Sequence, residues 1–278
     1  MKKIVFSKTQ KITLFVLFFL IAAVLISYIN SLYARRPMTF TSDAAYSWPK
    51  KSVQMDEWTY VELVTGHNYY LYLPEKYRND KDNEEARLPL IVAFHGSYEK
   101  GAAISRVGKR FISPDFQKKI NSQGCAVLVP MSRMDFFSDP HSMSLLIQNV
   151  CLKNRCIDKS DIIAFGFSQG AKFAVELACT QPKLFKGVVS SSGFYEIKLS
   201  ELLDVLDVNF YFALSKNDKG IYEQGVKTAK ICSRWCKNSR YVEYENRYHF
   251  CAELSDRTGR GSETLEDWIC GVADNMIK

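Results

Sequence analysis

Ser168 lies between two glycines, in the stretch Gly166-Phe167-Ser168-Gln169-Gly170. A serine hydroxyl is a poor nucleophile until a neighbouring base takes its proton. The G-x-S-x-G spacing suits a sharp strand-to-helix turn, in which small flanking residues let backbones come close and the serine projects above the strand end. An ordinary turn could use the same five residues, so the chain must also supply a base, an acid and donors for developing negative charge. Of the histidines His67, His95, His141 and His249, only His249 follows Ser168. Where this turn does chemistry, the chain order is serine, acid, histidine. Asp218 is the acid that fits, directly after the apolar run NFYFALS. Asp204 and Asp207 precede that run, at its wrong end, and Glu223 falls in the helix-like stretch beyond it. A carboxylate at 218 would hold the imidazole tautomer and steady the imidazolium. Asn217 and Gly220 would equally suit a turn or helix cap at Asp218.

An oxyanion needs donors set in place beforehand. By position these are the backbone N–H groups of Gln169, just after the serine, and of Ser97, just after the run AFHG. His95 is expected to shape that loop, and His141, in SDPHSMSLL, to start a helix or lie on the surface.

These residues need elements to carry them. PLIVAFHG (89–96), GCAVLVP (124–130), DIIAFGF (161–167), GVVSSSG (187–193) and NFYFALS (209–215) are continuous apolar runs, the mark of strands buried on both faces. WTYVELV (58–64) and NYYLYLP (68–74) read as a hairpin, and YVEYE (241–245) closes the set. Helix-like stretches lie near 107–121, 142–153, 169–181, 221–236 and 263–277. Strands alternating with helices predict an α/β domain over residues 58–278, with a mostly parallel sheet covered on both faces. Ligands bind such sheets at the carboxyl ends of the strands, where Ser97, Ser168, Gln169, Asp218 and His249 fall.

The chain's first part is different. Residues 1–11 carry four lysines and no acid, and residues 12–29 carry no charge. A basic head before such a run is a targeting signature, and its length is just enough to span a bilayer. Two readings stand: an uncleaved membrane anchor with the domain outside the cytoplasm, or a signal peptide cleaved near Leu32-Tyr33-Ala34, a poor cleavage site. Residues 1–34 then form the head and anchor or signal, and residues 35–57, polar with Pro37 and Pro49, a linker or arm. The net charge of +7 is partly due to that head; 37 basic residues less Lys2, Lys3, Lys8 and Lys11 leave 33 against 30 acids. There is no basic stripe to suggest a nucleic-acid partner.

All eight cysteines lie beyond residue 120. In an exported domain an even count predicts disulfides, at least two here, with Cys151/Cys156 and Cys232/Cys236 close enough in sequence to close small loops. No C-x-x-C unit occurs, so a zinc site is not expected.

From residue 58 onward the chain resembles the α/β-hydrolase superfamily. Its nearest likeness is to the polyhydroxybutyrate depolymerase-like and feruloyl esterase-like proteins and to the carboxylesterase/phospholipase family. NYYLYLP before a strand ending in His-Gly, IDKSDIIAFGFSQG around the serine, and the pentapeptide Gly-Phe-Ser-Gln-Gly carry the resemblance. It implies Ser168 as nucleophile, Asp218 as acid, His249 as base, Ser97 and Gln169 as oxyanion donors, and no cofactor or metal. Two departures stand out: Tyr248 replaces the usual glycine before the last histidine, and Ala171 a second glycine after Gly170. Only FYEIKLSELLDVLDV (194–208) is available for a cap, too short for a lid domain, so an open site is expected. The implied substrate is a carboxylic ester or thioester. The competing readings are a prolyl oligopeptidase-like peptidase, for whose propeller there is no room, and a catalytically silent binding module on a membrane.

Overall fold

Side chains alternate along a strand with period two, and in Leu88–Phe94 (β3) every one is buried. Leu88, Leu90, Val92 and Phe94 enter one apolar core, Ile91 and Ala93 another. A strand with two cores needs helices on both faces, and the computed structural model has them. It describes residues 13, 15–25, 59–61, 67–258 and 261–273.

The sheet has eight strands: β1 (Thr59–Val61), β2 (Asn68–Tyr72), β3, β4 (Ala126–Pro130), β5 (Ile157–Phe167), β6 (Gly187–Ser191), β7 (Asn209–Ser215) and β8 (Arg240–Tyr244), in the order β1-β2-β4-β3-β5-β6-β7-β8. β1 and β2 pair antiparallel, as does β2 with β4; every other pairing is parallel. Six helices matter here: α1 (Pro114–Ile120), α2 (Pro140–Lys153), α3 (Gln169–Thr180), α4 (Leu199–Asp204), α5 (Lys219–Trp235) and α6 (Leu265–Ala273). Apolar side chains of α2, α3 and α5 fill one core; those of α1 and α6, with Trp268 fully buried, fill the other. Local chemistry sets the helix starts. Asp139 caps α2 by accepting the Ser142 N–H at 3.0 Å, and Ser113 caps α1 by accepting that of Phe116 at 3.3 Å, each followed by proline at the first helical position. This is the α/β-hydrolase topology, and among the described residues the segment after β6 holds only the short α4, with no lid domain.

Parallel register levels the strand ends. Phe94 pairs with Gly166, Phe167 with Ser191, Ser191 with Ala213, and Ser215 with Tyr244. The loops after β3, β5, β6, β7 and β8 therefore leave the sheet at one edge.

Two expectations are corrected. Residues 13 and 15–25 are helical, but among the described residues no helix is long and apolar enough to cross a membrane. On the described residues, the membrane partner and the anchored location expected from residues 12–29 are therefore not supported. The head at 1–11, residues 12, 14 and 26–29, and the linker at 35–57 lie outside the described residues, as does the hairpin turn at Thr65-Gly66. The disulfides are the second correction. All eight cysteines, including Cys232 and Cys236, are free thiols, and all but Cys251 are buried. They act as small apolar side chains in the two cores; burial pushes the Cys151 thiol up to about 12.

The helix expected near 107–121 is broken. A 3-10 turn at Lys100–Ala102, a π-helical turn at Ile104–Gly108 and a second 3-10 turn at Lys109–Ile112 precede α1. Pro114 enforces the break, because the residue before a proline avoids the helical region, and Ser113 is extended (ψ 141°).

Candidate active site

Ser168 sits at φ 57° and ψ −120°, a strained conformation for a residue with a Cβ. The neighbouring glycines make it possible. A Cβ on Gly166 would lie 2.4 Å from the Gly170 carbonyl oxygen, and one on Gly170 would lie 2.4 Å from the carbonyl oxygens of Phe94 and His95. The first turn of α3 is thus pressed against both its own strand and the end of β3. Ala171 fits in place of a glycine because Gly193 faces it; a Cβ there would come within 2.5 Å of that of Ala171. The Ser168 N–H donates to the Ser191 carbonyl at 2.9 Å, tying the turn to β6.

The structure brings Ser168, His249 and Asp218 together. The His249 Nδ1–H donates to Asp218 Oδ2 at 2.6 Å, and its Nε2 accepts the Ser168 hydroxyl at 2.8 Å. Asp218 stands at the start of α5 but makes no side-chain cap bond, so its carboxylate faces the histidine instead. The His249 ring packs against Phe167 with centroids 5.1 Å apart.

Ser97 lines the same cleft as Ser168 and His249, a space of about 690 Å³. Gln169 is the first residue of α3, so its N–H is among those without a helical acceptor, at the positive end of the helix dipole. Its side chain has a different use. The amide accepts the Phe137 N–H at 2.9 Å and donates to the Phe137 carbonyl at 2.5 Å, clamping the loop before α2 to the start of α3. His95 is fully buried behind the site. It donates from Nδ1 to the Gly96 carbonyl at 2.7 Å and accepts the Ser132 N–H at Nε2 at 3.1 Å; burial pushes its pKa below the usual imidazole range. It therefore supports the loop as a neutral ring. His141 is exposed on the first turn of α2, and His67 is buried against the Met131 carbonyl at 3.3 Å.

Sequence reasoning missed the residues that hold His249 in place. Ser191 Oγ donates to the Phe250 carbonyl at 3.0 Å and accepts the Ala252 N–H at 2.8 Å, while Ser192 Oγ accepts the Phe250 N–H at 3.2 Å. Ser215 Oγ donates to the Arg247 carbonyl. Arg247 forms a two-pronged ion pair with Asp256, both contacts 2.7 Å, and its guanidinium lies over the rings of Tyr244 and Phe250. The pair Ser191-Ser192 at the end of a buried strand was a signal of this.

Glu99 was also missed. Its Oε2 accepts the Gly96 N–H at 3.0 Å and its Oε1 the Arg106 Nε–H at 2.9 Å, so one carboxylate shapes the Ser97 loop and orients an arginine in the cleft.

Comparisons with known proteins agree on the fold. A family model described as Phospholipase/Carboxylesterase matches residues 138–249, a stretch that holds Ser168, Asp218 and His249. A search of curated proteins gave no match. Among solved structures, the chain is similar to a thermostable esterase, with 19% identity and a TM-score of 0.53 over 79% of this chain and 61% of that one. A ferulic acid esterase matches with 12% identity and a TM-score of 0.53 over 69% of this chain and 89% of its own. An S-formylglutathione hydrolase from Staphylococcus aureus matches with 15% identity and a TM-score of 0.52 over 77% and 96%. The chain spans less than two thirds of the thermostable esterase's length. Together these likenesses show an α/β-hydrolase fold, with the family match confined to residues 138–249.

Proposed function

We propose that this chain is a serine hydrolase that cleaves a carboxylic ester or thioester through an acyl-enzyme on Ser168. The reading rests on one observation: the hydrogen-bonded run from Asp218 through His249 to a serine held at positive φ. His249 Nε2 takes the hydroxyl proton as Ser168 attacks the acyl carbonyl. Asp218 stays ionised and steadies the imidazolium. The oxyanion that forms is met by the N–H groups of Gln169 and Ser97. His249 then gives its proton to the leaving alcohol or thiol. Water, deprotonated by His249, attacks the acyl-enzyme and releases the acid. No cofactor or metal takes part in these steps.

A fluorophosphonate probe and a short nitrophenyl ester test the proposal on the purified protein. The wild type should take the label and turn over the ester, and Ser168→Ala should do neither. A folded wild type that takes no label would remove the hydrolase reading and leave that of a binding module.

A further inference from the structure

The cleft beside Ser168 is not a greasy one. Ser97, Glu99, Ser105, Arg106, Arg110 and Glu253 line it, with Phe167 and Phe250 as its main apolar walls. Its charges are unequal in use. Arg110 is spent on structure, donating to the Ala252 and Arg106 carbonyls and to Cys251 Sγ, with Glu253 3.6 Å away. Glu99 has both oxygens engaged, one by the Gly96 N–H and one by Arg106 Nε. Arg106 differs: its side chain is 51% exposed, its guanidinium lies 5.6 Å from the centre of the Phe167 ring, and Phe167 is the residue before Ser168. Among the described residues, no hydrogen bond engages its two Nη atoms. A guanidinium whose Nε is fixed from behind and whose plane rests near an aromatic ring is held in place before any ligand arrives. Its remaining donors form a fork of the kind that carboxylates and phosphates accept in pairs.

We propose that Arg106 determines specificity for esters or thioesters that carry an anionic group, a carboxylate above all, a few atoms from the scissile carbonyl. The proposal rests on the hydrolase reading above and deepens it. Glu99 is a positioning residue in this scheme: it aims Arg106 and braces the Ser97 loop with one carboxylate, so the anion site and the oxyanion donor move together.

The test is a comparison of two nitrophenyl esters of similar length on the whole protein, the neutral butyrate and the hemiglutarate with its terminal carboxylate. The quantity read is the ratio of their kcat/KM values. Wild type should favour the hemiglutarate by about 10- to 100-fold, the range expected for charged hydrogen bonds, and the preference should shrink with added salt as charge attraction is screened. Arg106→Gln should bring the ratio close to one, chiefly through KM for the anionic ester. Arg106→Lys keeps the charge without the fork and should restore part of the preference. Circular dichroism of each variant checks folding; if Arg106→Gln does not fold, the wild-type ratio, its salt dependence and the Lys variant decide. Turnover of the butyrate with a wild-type ratio near one, or a preference that survives Arg106→Gln in folded protein, overturns the anion site and leaves the hydrolase reading standing. No turnover of either ester, with no fluorophosphonate label, overturns both.

Discussion

The serine turn and the histidine loop meet at one hydrogen bond but are built by opposite means. The turn between β5 and α3 is fixed by backbone: two glycines without room for a Cβ, a strained φ, and a main-chain bond to Ser191. The loop after β8 has little regular structure of its own. Side chains from other strands hold it, namely Ser191, Ser192 and Ser215, together with the internal Arg247–Asp256 pair. A site built this way has a rigid half and a fastened half, and each should fail in its own manner.

The most direct break is chemical. Ser168→Ala should lower ester turnover by at least about 10³-fold, roughly 4 kcal/mol of transition-state stabilisation, while the thermal midpoint stays the same or rises. His249→Ala should cost as much, and the double variant no more than either alone, because the residues act as a unit. Additive losses measured in steady-state kinetics would mean the two do not share a step.

Next comes the rigid half. Gly170→Ala drives a Cβ to 2.4 Å from two carbonyl oxygens that cannot move without the sheet. Overpacking of this kind should cost about 3 kcal/mol, seen as a lower urea midpoint together with lost turnover. A variant as stable and active as wild type would show that the turn is not rigid.

In the fastened half the effect should be smaller and should separate activity from folding. Ser191→Ala leaves the Phe250 carbonyl and the Ala252 N–H without their shared partner. Stability should drop by about 1–3 kcal/mol. Turnover and the rate of fluorophosphonate labelling should fall roughly 10- to 100-fold as the imidazole drifts, although Ser168 itself is untouched. Equal labelling rates in variant and wild type would assign the loop's position to something other than these hydroxyls.

The smallest effect concerns the strand that launches the histidine loop. The Glu243 carboxyl is held down to about 2 by the hydroxyls of Tyr222 and Tyr241 and by Lys216. A depressed carboxylate adds stability above its unfolded pKa, near 4.3, and loses it as the pH falls through about 2. Glu243→Gln should therefore be slightly less stable than wild type at pH 7, by under about 1 kcal/mol because the group is solvent-screened. The gap should close between about pH 4 and pH 2. A gap that persists at pH 2 would point to lost packing rather than lost charge.

The two halves also differ in how much of them could be read from sequence. The turn is local: five consecutive residues carry its shape, and the order serine, acid, histidine then selects Asp218 and His249 from a small set. The strands were equally readable, because burial on both faces leaves an uninterrupted apolar run such as Pro89–Phe94. The fastenings were not legible in this way. Ser191 and Ala252 are 61 residues apart, and nothing in either segment names the other. The cysteines misled because their count suggested export chemistry, whereas in three dimensions they are filler on both sides of the sheet. For the uncharged run at 12–29, the described residues likewise hold no helix long and apolar enough to cross a membrane.

The Gln169 clamp has a consequence for how such a protein could change. Its amide grips only the main chain of Phe137, taking the N–H and the carbonyl as a neighbouring strand would. The loop it grips carries Met134 and Phe136, both exposed. A grip that ignores side chains leaves those positions free to mutate while the loop's path, and the N–H of Gln169, stay where they are. Sequence drift at Met134 and Phe136 is thereby uncoupled from the geometry of the serine turn.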